Sequence, residues 1–298
     1  MTHSEPEPQA QSSQFPQGST YPLDSEQVEE LARLVQQDRL VTEAMGGLFP
    51  EGQTLPEGGH LLDLACGPGG WTCEVAFQHP SAEVIGVDIS PSIVEYANTS
   101  ARSRGLPNVQ FLVMDIRQPL AFPDASFDLI NGRFLSSFMP PDAWPRLLAE
   151  CRRLLKPGGV LRLTETECGL TTSAAAERCF ALAAAAFKRA GLSFSPDGRH
   201  IGITPVLPRL LRQAGFQDVR LRASAAEWSS DAPMHYVFFK DMLVAFQLGK
   251  PFAIRTGVAS AEEVDQLYQQ AIAEMQADDF CAVWTWLTVW GQKPNASA

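Results

Sequence analysis

From residue 60 onward, short apolar runs alternate with helical patterns, and few folds satisfy such an alternation. The runs fall at 60–65, 83–88, 109–114, 127–131 and 160–165, and most are rich in Val, Ile and Leu. Strands of that composition, each followed by a helix, pair in parallel with both faces of the sheet covered. The punctuation agrees. Ser90 stands where it caps a helix whose first residue is Pro91, and Gly105 ends that helix. Asp142 starts another helix with Pro145 still in its first turn, and the run Lys156-Pro157-Gly158-Gly159 stops it and turns the chain into the next strand.

Three regions lie outside the alternation. Residues 24–46 open with Asp24 and Gln27 at capping-box spacing and continue with Val28, Leu31 and Val35 at helical spacing. Residues 173–192 form an alanine-rich helix, and 231–279 hold two more helical patterns, the second opened by Ser260 and Glu263. These helices either form a lid over the sheet or extend its core. The segment 281–291 alternates Val283, Thr285, Leu287 and Val289 with Trp284, Trp286, Thr288 and Trp290, the period of a strand. The expected organisation is a disordered tail at 1–20, a lid helix at 21–50, a ligand-binding core at 51–168, a cap-helix insertion at 169–203, core again at 204–230, cap helices at 231–279 and the last strand at 280–298.

Composition narrows the partners. A formal net charge of −11 disfavours nucleic acid, whose phosphates are met by Lys and Arg. No apolar run approaches the ~18–20 residues of a membrane span, and no basic-then-apolar leader opens the chain, so a cytoplasmic location is expected. Six cysteines show no metal-site spacing, and no metal is expected.

The stretch Leu61-Leu62-Asp63-Leu64-Ala65-Cys66-Gly67-Pro68-Gly69-Gly70 ends a strand and precedes a helix. Glycines there let the backbone pass close to a ligand. Two acidic residues follow at the ends of later strands. Asp88 comes 21 positions after Gly67, suited to ribose hydroxyls, and Asp115 is placed to meet an adenine edge. A dinucleotide fingerprint needs glycine at position 72, where this chain has Thr72. Asp63 beside the loop would repel phosphate yet help hold an ammonium group. Ribose, adenine, a cationic amino-acid end and no phosphate together fit S-adenosylmethionine.

On these residues the chain resembles the class I S-adenosylmethionine-dependent methyltransferases, particularly the ubiquinone- and menaquinone-biosynthesis-like, small-molecule branch. The matching motifs are Asp63 to Gly69, Val84-Ile85-Gly86-Val87-Asp88-Ile89-Ser90, Met114-Asp115-Ile116, Pro123-Asp124-Ala125-Ser126-Phe127-Asp128 and Leu155-Lys156-Pro157-Gly158-Gly159, in order and register over roughly residues 60 to 165. Ala65 departs from the commonest glycine at its place. The resemblance implies an α/β, Rossmann-like, seven-stranded, mostly parallel sheet whose last strand is antiparallel, with 219–223 and the Trp-rich segment as the final two strands. It implies S-adenosylmethionine as cofactor, its demethylated product, and no metal. Gly67 and Gly69 would pass under the methionine moiety, Asp88 would bind the ribose, Asp115 and Ile116 the adenine, and Asn131 would lie near the sulfonium, with Ala65, Cys66 and Ile89 among the cofactor-binding residues. Tyr21, Arg33 and Gln37 resemble positions that some relatives fold over the cofactor's carboxylate; Arg33 and Gln37 share a helical face, and a solvated face is the other reading.

The reaction so implied is direct displacement of a methyl group onto an O, N or C atom of a small, partly apolar acceptor by a monomer or homodimer. A non-catalytic regulatory binder, and further off an RNA or protein methyltransferase, are the alternatives. Candidate bases are Glu165 and Glu167 after the fifth strand, and His200 and His235 in the cap regions. Many relatives carry a histidine after strand four; here the chain reads Arg133-Phe134-Leu135-Ser136-Ser137. Trp71, Phe134, Phe138, Tyr236 and Phe239 are the candidates for an apolar acceptor pocket.

Overall fold

A computed structural model describes residues 28–295. Tyr21, the expected tail and the Asp24–Gln27 capping box lie outside them. In chain order the elements are α1 (Val28–Ala44), β1 (His60–Leu64), α2 (Gly70–Gln78), β2 (Glu83–Asp88), α3 (Pro91–Ser103), β3 (Val109–Val113), β4 (Phe127–Arg133), α4 (Trp144–Leu154), β5 (Leu155–Thr166), β6 (Leu170–Thr171), α5 (Ala174–Arg189), α6 (Ile203–Gln213), β7 (Gln217–Glu227), α7 (His235–Arg255), α8 (Ala261–Met275) and β8 (Ala282–Gln292).

The sheet runs β3-β2-β1-β4-β5-β8, with β7 on the far edge of β8. The pairs from β3 through β5 are parallel, and β8 is antiparallel to both β5 and β7. Among the described residues the strands number eight where seven were expected. The addition is β6, whose Leu170 and Thr171 pair with Val283 and Ala282, where β8 runs on past the end of β5.

Apolar runs became strands because both sheet faces find cover. Leu62, Leu64 and Ile130 pack with Leu147 and Leu148 of α4 and Leu207 of α6, while Leu61 and Leu129 pack with Trp71 and Val75 of α2. Each such side chain, once buried, is worth about 1.5–3 kcal/mol. Serine caps set three helix starts: Ser90 accepts from the Ile93 amide, Ser173 from Ala176 and Ser260 from Glu263.

Two boundaries differ from the sequence reading. Helix α4 begins at Trp144, with Ala143 at the cap position and no side-chain cap, so Asp142 does not start it. The segment 156–159 does not merely turn the chain; it already belongs to β5. Leu155 pairs with Phe127 across a register shift, the Gly158 amide donates to the Lys293 carbonyl at 2.9 Å, and the Lys293 amide to the Gly159 carbonyl at 2.8 Å. Gly158 has φ 77°, which a side chain would resist.

Helices α1, α5, α7 and α8 share a second apolar cluster with the last strands. Leu40, Ala176, Phe238, Met275, Trp228 and Trp286 belong to it. Buried Ala175, Ala176, Ala184 and Ala186 keep α5 slim where it packs against its neighbours. The cap is thus fastened to β7 and β8, and it stands over the carboxyl edge of the other strands.

Candidate functional site

Strands β1 to β4 end along one edge, and there a cavity of about 410 Å³ opens between the sheet and the cap helices. The β1–α2 loop forms part of its floor. Ala65 has φ 49°, Gly67 φ 55° and Gly69 φ 76°. The left-handed turn at Ala65 explains why glycine is commoner there; alanine pays roughly 1 kcal/mol to adopt it. The two glycines serve different ends. A Cβ on Gly67 would meet nothing within 4 Å and would project into open space, whereas one on Gly69 would sit 2.5 Å from the Phe111 ring and 3.1 Å from Ala97. Gly67 lines the cavity and Gly69 does not; its missing side chain lets the loop pack on β3 and α3.

Asp88 shapes the loop. Its Oδ2 accepts from the Gly67 amide and its Oδ1 from the Ser90 amide, both at 3.0 Å. Burial raises its carboxyl, and those amides oppose the rise. Asp88 lines the cavity, and its two oxygens keep acceptor capacity beyond these two bonds.

Asp63 is 4% exposed and lies at the end of a buried chain of polar groups. Thr72 Oγ1 donates to its Oδ2 at 2.6 Å, and Asn131 Nδ2 to its Oδ1 at 2.8 Å. Arg162 Nη1 donates to Asn131 Oδ1 at 2.7 Å, and Arg162 Nε pairs with Glu51 at 2.5 Å. Burial pushes the Asp63 carboxyl up to about 6, against the Thr72 bond and the nearby Arg133 charge. Thr72, which removes the dinucleotide fingerprint, is therefore also the residue that aims Asp63. Asn131 is fully buried and lines no part of the cavity; it orients Asp63.

Asp115 lines the cavity clasped by Arg117, whose Nε and Nη2 donate to Oδ1 and Oδ2 at 2.9 Å. Its carboxyl is held below the usual range by those bonds, which outweigh its partial burial. Cys66, Ile89 and Ile116 line the cavity beside it.

Arg33 and Gln37 also line the cavity, and the solvated-face reading fails for them. Arg33 is 7% exposed and donates to both oxygens of Glu30, at 2.7 and 2.8 Å, and to Asp241 at 3.2 Å; Gln37 donates to the other Asp241 oxygen at 3.2 Å. Asp241 lies in α7, so the network ties α1 to the cap.

None of the candidate bases lines the cavity. Glu165 is fully buried, accepts from the Leu135 amide at 2.8 Å and the Ser136 hydroxyl at 2.6 Å, and is pushed up to about 8 by its burial. It holds the short turn at Leu135–Ser137 that presents Ser136 and Ser137 to the cavity. Glu167 accepts from the Ile201, Gly202 and Thr204 amides and so caps α6. His200 is exposed. His235 Nδ1 lies 3.0 Å from the Trp228 carbonyl oxygen, and its ring stacks on Phe239.

Of the expected pocket aromatics, Phe134 and Phe138 line the cavity. Trp71 instead fills the core beneath α2, with Arg133 and Arg162 over its ring; Phe239 is buried in the cap cluster; Tyr236 is 67% exposed under Lys240. Residues the sequence reading passed over also line the space: Asp38 and Arg133, paired with each other, and Lys250 and Tyr268 of the cap. Asp38 follows Gln37 directly, and Lys250 interrupts an otherwise apolar run, which were the available signals.

Residues 61–159 match the family model of a methyltransferase domain. The chain is 33% identical over 167 residues to ltbC of Aspergillus luteorubrus, a protein named as a methyltransferase, covering 53% of this chain and 56% of that one. It is 33% identical over 111 residues to the demethylmenaquinone methyltransferase of Geobacillus stearothermophilus, covering 37% and 46% respectively. The chain thus spans about half the length of these curated relatives. Phosphoethanolamine N-methyltransferase 2 of Haemonchus contortus, solved with S-adenosyl-L-methionine, superposes with a TM-score of 0.56 at 17% identity, covering 94% of this chain and 62% of that one; the likeness is one of fold.

Proposed function

We propose that the chain carries a class I, Rossmann-like, S-adenosylmethionine-dependent methyltransferase domain, and that the whole protein is an enzyme that methylates a small, partly apolar molecule. The observation that carries the reading is the convergence of Asp63, the Gly67 turn and Asp88 on one cavity at the carboxyl edge of the sheet. The donor set suits the cofactor. A buried carboxylate with its charge opposed by burial gains from a neighbouring ammonium group, and Asp88 keeps lone pairs for two ribose hydroxyls. A pyrophosphate in the same place would meet both charges.

When bound, S-adenosylmethionine supplies a methyl group already activated by the positive sulfur. The residues then have four tasks. Asp63 holds the amino end, Asp88 the ribose and Asp115 with Ile89 and Ile116 the adenine, while Arg33 and Gln37 close over the carboxylate end from α1. The acceptor lies under α5, α7 and α8, against Phe134 and Phe138. With Glu165, His200 and His235 directed elsewhere, the chain contributes alignment and exclusion of water more than a dedicated base. We infer a cytoplasmic monomer or homodimer that does not act on nucleic acid; the charge of −11 supports the last point, and no helix of the described residues is long and apolar enough to cross a membrane.

The test pairs calorimetry with transfer. S-adenosylhomocysteine is expected to bind without added metal, and labelled methyl to reach members of a panel of phenols, amines, indoles and quinols. Binding of NAD in place of S-adenosylhomocysteine, or site-specific labelling of RNA or DNA with no small molecule accepted, overturns the proposal.

A further inference from the structure

The cavity wall divides by origin. At the sheet edge and α1 each cation faces a carboxylate: Arg133 with Asp38, Arg117 with Asp115, Arg33 with Glu30 and Asp241. The part drawn from α5, α7 and α8 is aliphatic and aromatic, with Leu182, Phe246 and Val264 among its residues. Among the described residues, that part of the wall includes one lysine, Lys250, and one tyrosine, Tyr268.

Their arrangement is unusual for a structural pair. The Lys250 side chain is 14% exposed, its Nζ lies 3.9 Å from the centroid of the Tyr268 ring, and its carboxylate partner, Asp265 at 2.7 Å, is 67% exposed. An ion pair whose acid stands in water is worth little, well short of what withdrawing an ammonium group from water costs. The Tyr268 hydroxyl has no hydrogen-bond partner among the described residues. Two donors thus meet beside an otherwise apolar space, one paired only to an acid that stands in water and one with no protein acceptor among the described residues.

We propose that Lys250 and Tyr268 seat a carboxylate carried by an acceptor whose body is apolar. The inference rests on the methyl-transfer reading above and names the substrate class for that site. Each donor takes one carboxylate oxygen, the charge of Lys250 is matched inside the cavity, and Asp265 competes from outside. Lys250 acts as a specificity residue, because a neutral analogue of the same shape leaves the ammonium group without an inner partner.

The test uses the full chain saturated with S-adenosylhomocysteine, with fluorescence titration of a naphthoate and the matching naphthamide. The naphthoate is expected to bind about tenfold or more tightly than the amide, equivalent to about 1.4 kcal/mol. Lys250→Gln should remove that preference while leaving the amide unchanged, Lys250→Arg should retain most of it, and Asp265→Asn should tighten the naphthoate by about twofold to threefold as its competitor is lost. Equal binding of the two probes by the wild-type chain, or equal weakening of both by Lys250→Gln, overturns the inference. Calorimetry of S-adenosylhomocysteine on the same samples separates the two levels. Its failure to bind the wild-type chain refutes the methyltransferase reading, whereas normal binding without discrimination between probes refutes only the carboxylate seat.

Discussion

Replacing Arg162 by methionine isolates the buried chain that aims Asp63. The Arg162 side chain is 1% exposed and its Glu51 partner's is 0% exposed, so the substitution strands a carboxylate with no route to water. Breaking a buried pair from one side costs about 3–5 kcal/mol. The guanidinium also lies 5.9 Å from the ring centroids of both Phe49 and Trp71, contacts that place the loss toward the upper end. At about 2–4 °C per kcal/mol for a chain of this size, the melting temperature should fall by about 6–20 °C. Adding Glu51→Met removes the stranded charge, and the double variant should recover to within about 2 kcal/mol of wild type, since a buried pair and a packed apolar pair are of similar worth. Cofactor affinity should not recover with it. Asn131 takes its orientation from Arg162, and without that bond its amide no longer presents Nδ2 to Asp63. Urea unfolding and calorimetry with S-adenosylhomocysteine, run on both variants, measure the two effects separately. A single variant as stable as wild type, or a double variant no better than the single, would refute the reasoning.

Two further outcomes follow from the site. The fold raises the Asp63 carboxyl from 3.8 to about 6, so it favours the protonated form and this group's contribution to stability declines as pH rises across that interval. Cation binding needs the carboxylate, so affinity for S-adenosylhomocysteine should run the other way, falling as pH drops below about 6 by up to about tenfold per unit, with Asp63→Asn flattening the profile; a wild-type profile already flat across this range would count against Asp63 as the ammonium site. Gly67→Ala should fold with a loss of about 1 kcal/mol while weakening the cofactor, whereas Gly69→Ala should lower the melting temperature sharply and leave affinity intact in whatever folds; the opposite assignment would show the loop misread.

Most of the sheet was legible because each strand is a short apolar run bounded by a turn, a pattern set locally. What escaped was set by distant pairing. Strand β6 exists only because β8 extends past β5, and 156–159 join a strand because Lys293, far along the chain, offers its carbonyl and amide. In the site, residues set by the backbone stand where the pattern puts them, along one cavity. Gly67, Asp88 and Asp115 sit at strand ends, and strand ends follow from the pattern. Side chains whose direction depends on packing read poorly. Trp71 looked like a pocket residue and is core; Glu165 looked like a base and supports a turn; Asn131 reaches Asp63 rather than the cavity. Arg33 and Gln37 were ambiguous until Asp241, more than two hundred positions away, gave them a shared partner.

The position of β8 between β5 and β7 bears on how the chain comes off the ribosome. Strand β5 is complete at Thr166, yet the residues that pair with it begin at Trp286, 120 positions later. At about 5–20 residues per second, the edge of β5 stays open for roughly 6–24 s after it has been made. During that interval the parallel half of the sheet can form on its own contacts, while β7 and the cap cluster wait for a strand not yet synthesised. A nascent chain stalled in this window presents an unpaired, apolar strand edge, the feature that chaperones cover and that drives edge-to-edge aggregation.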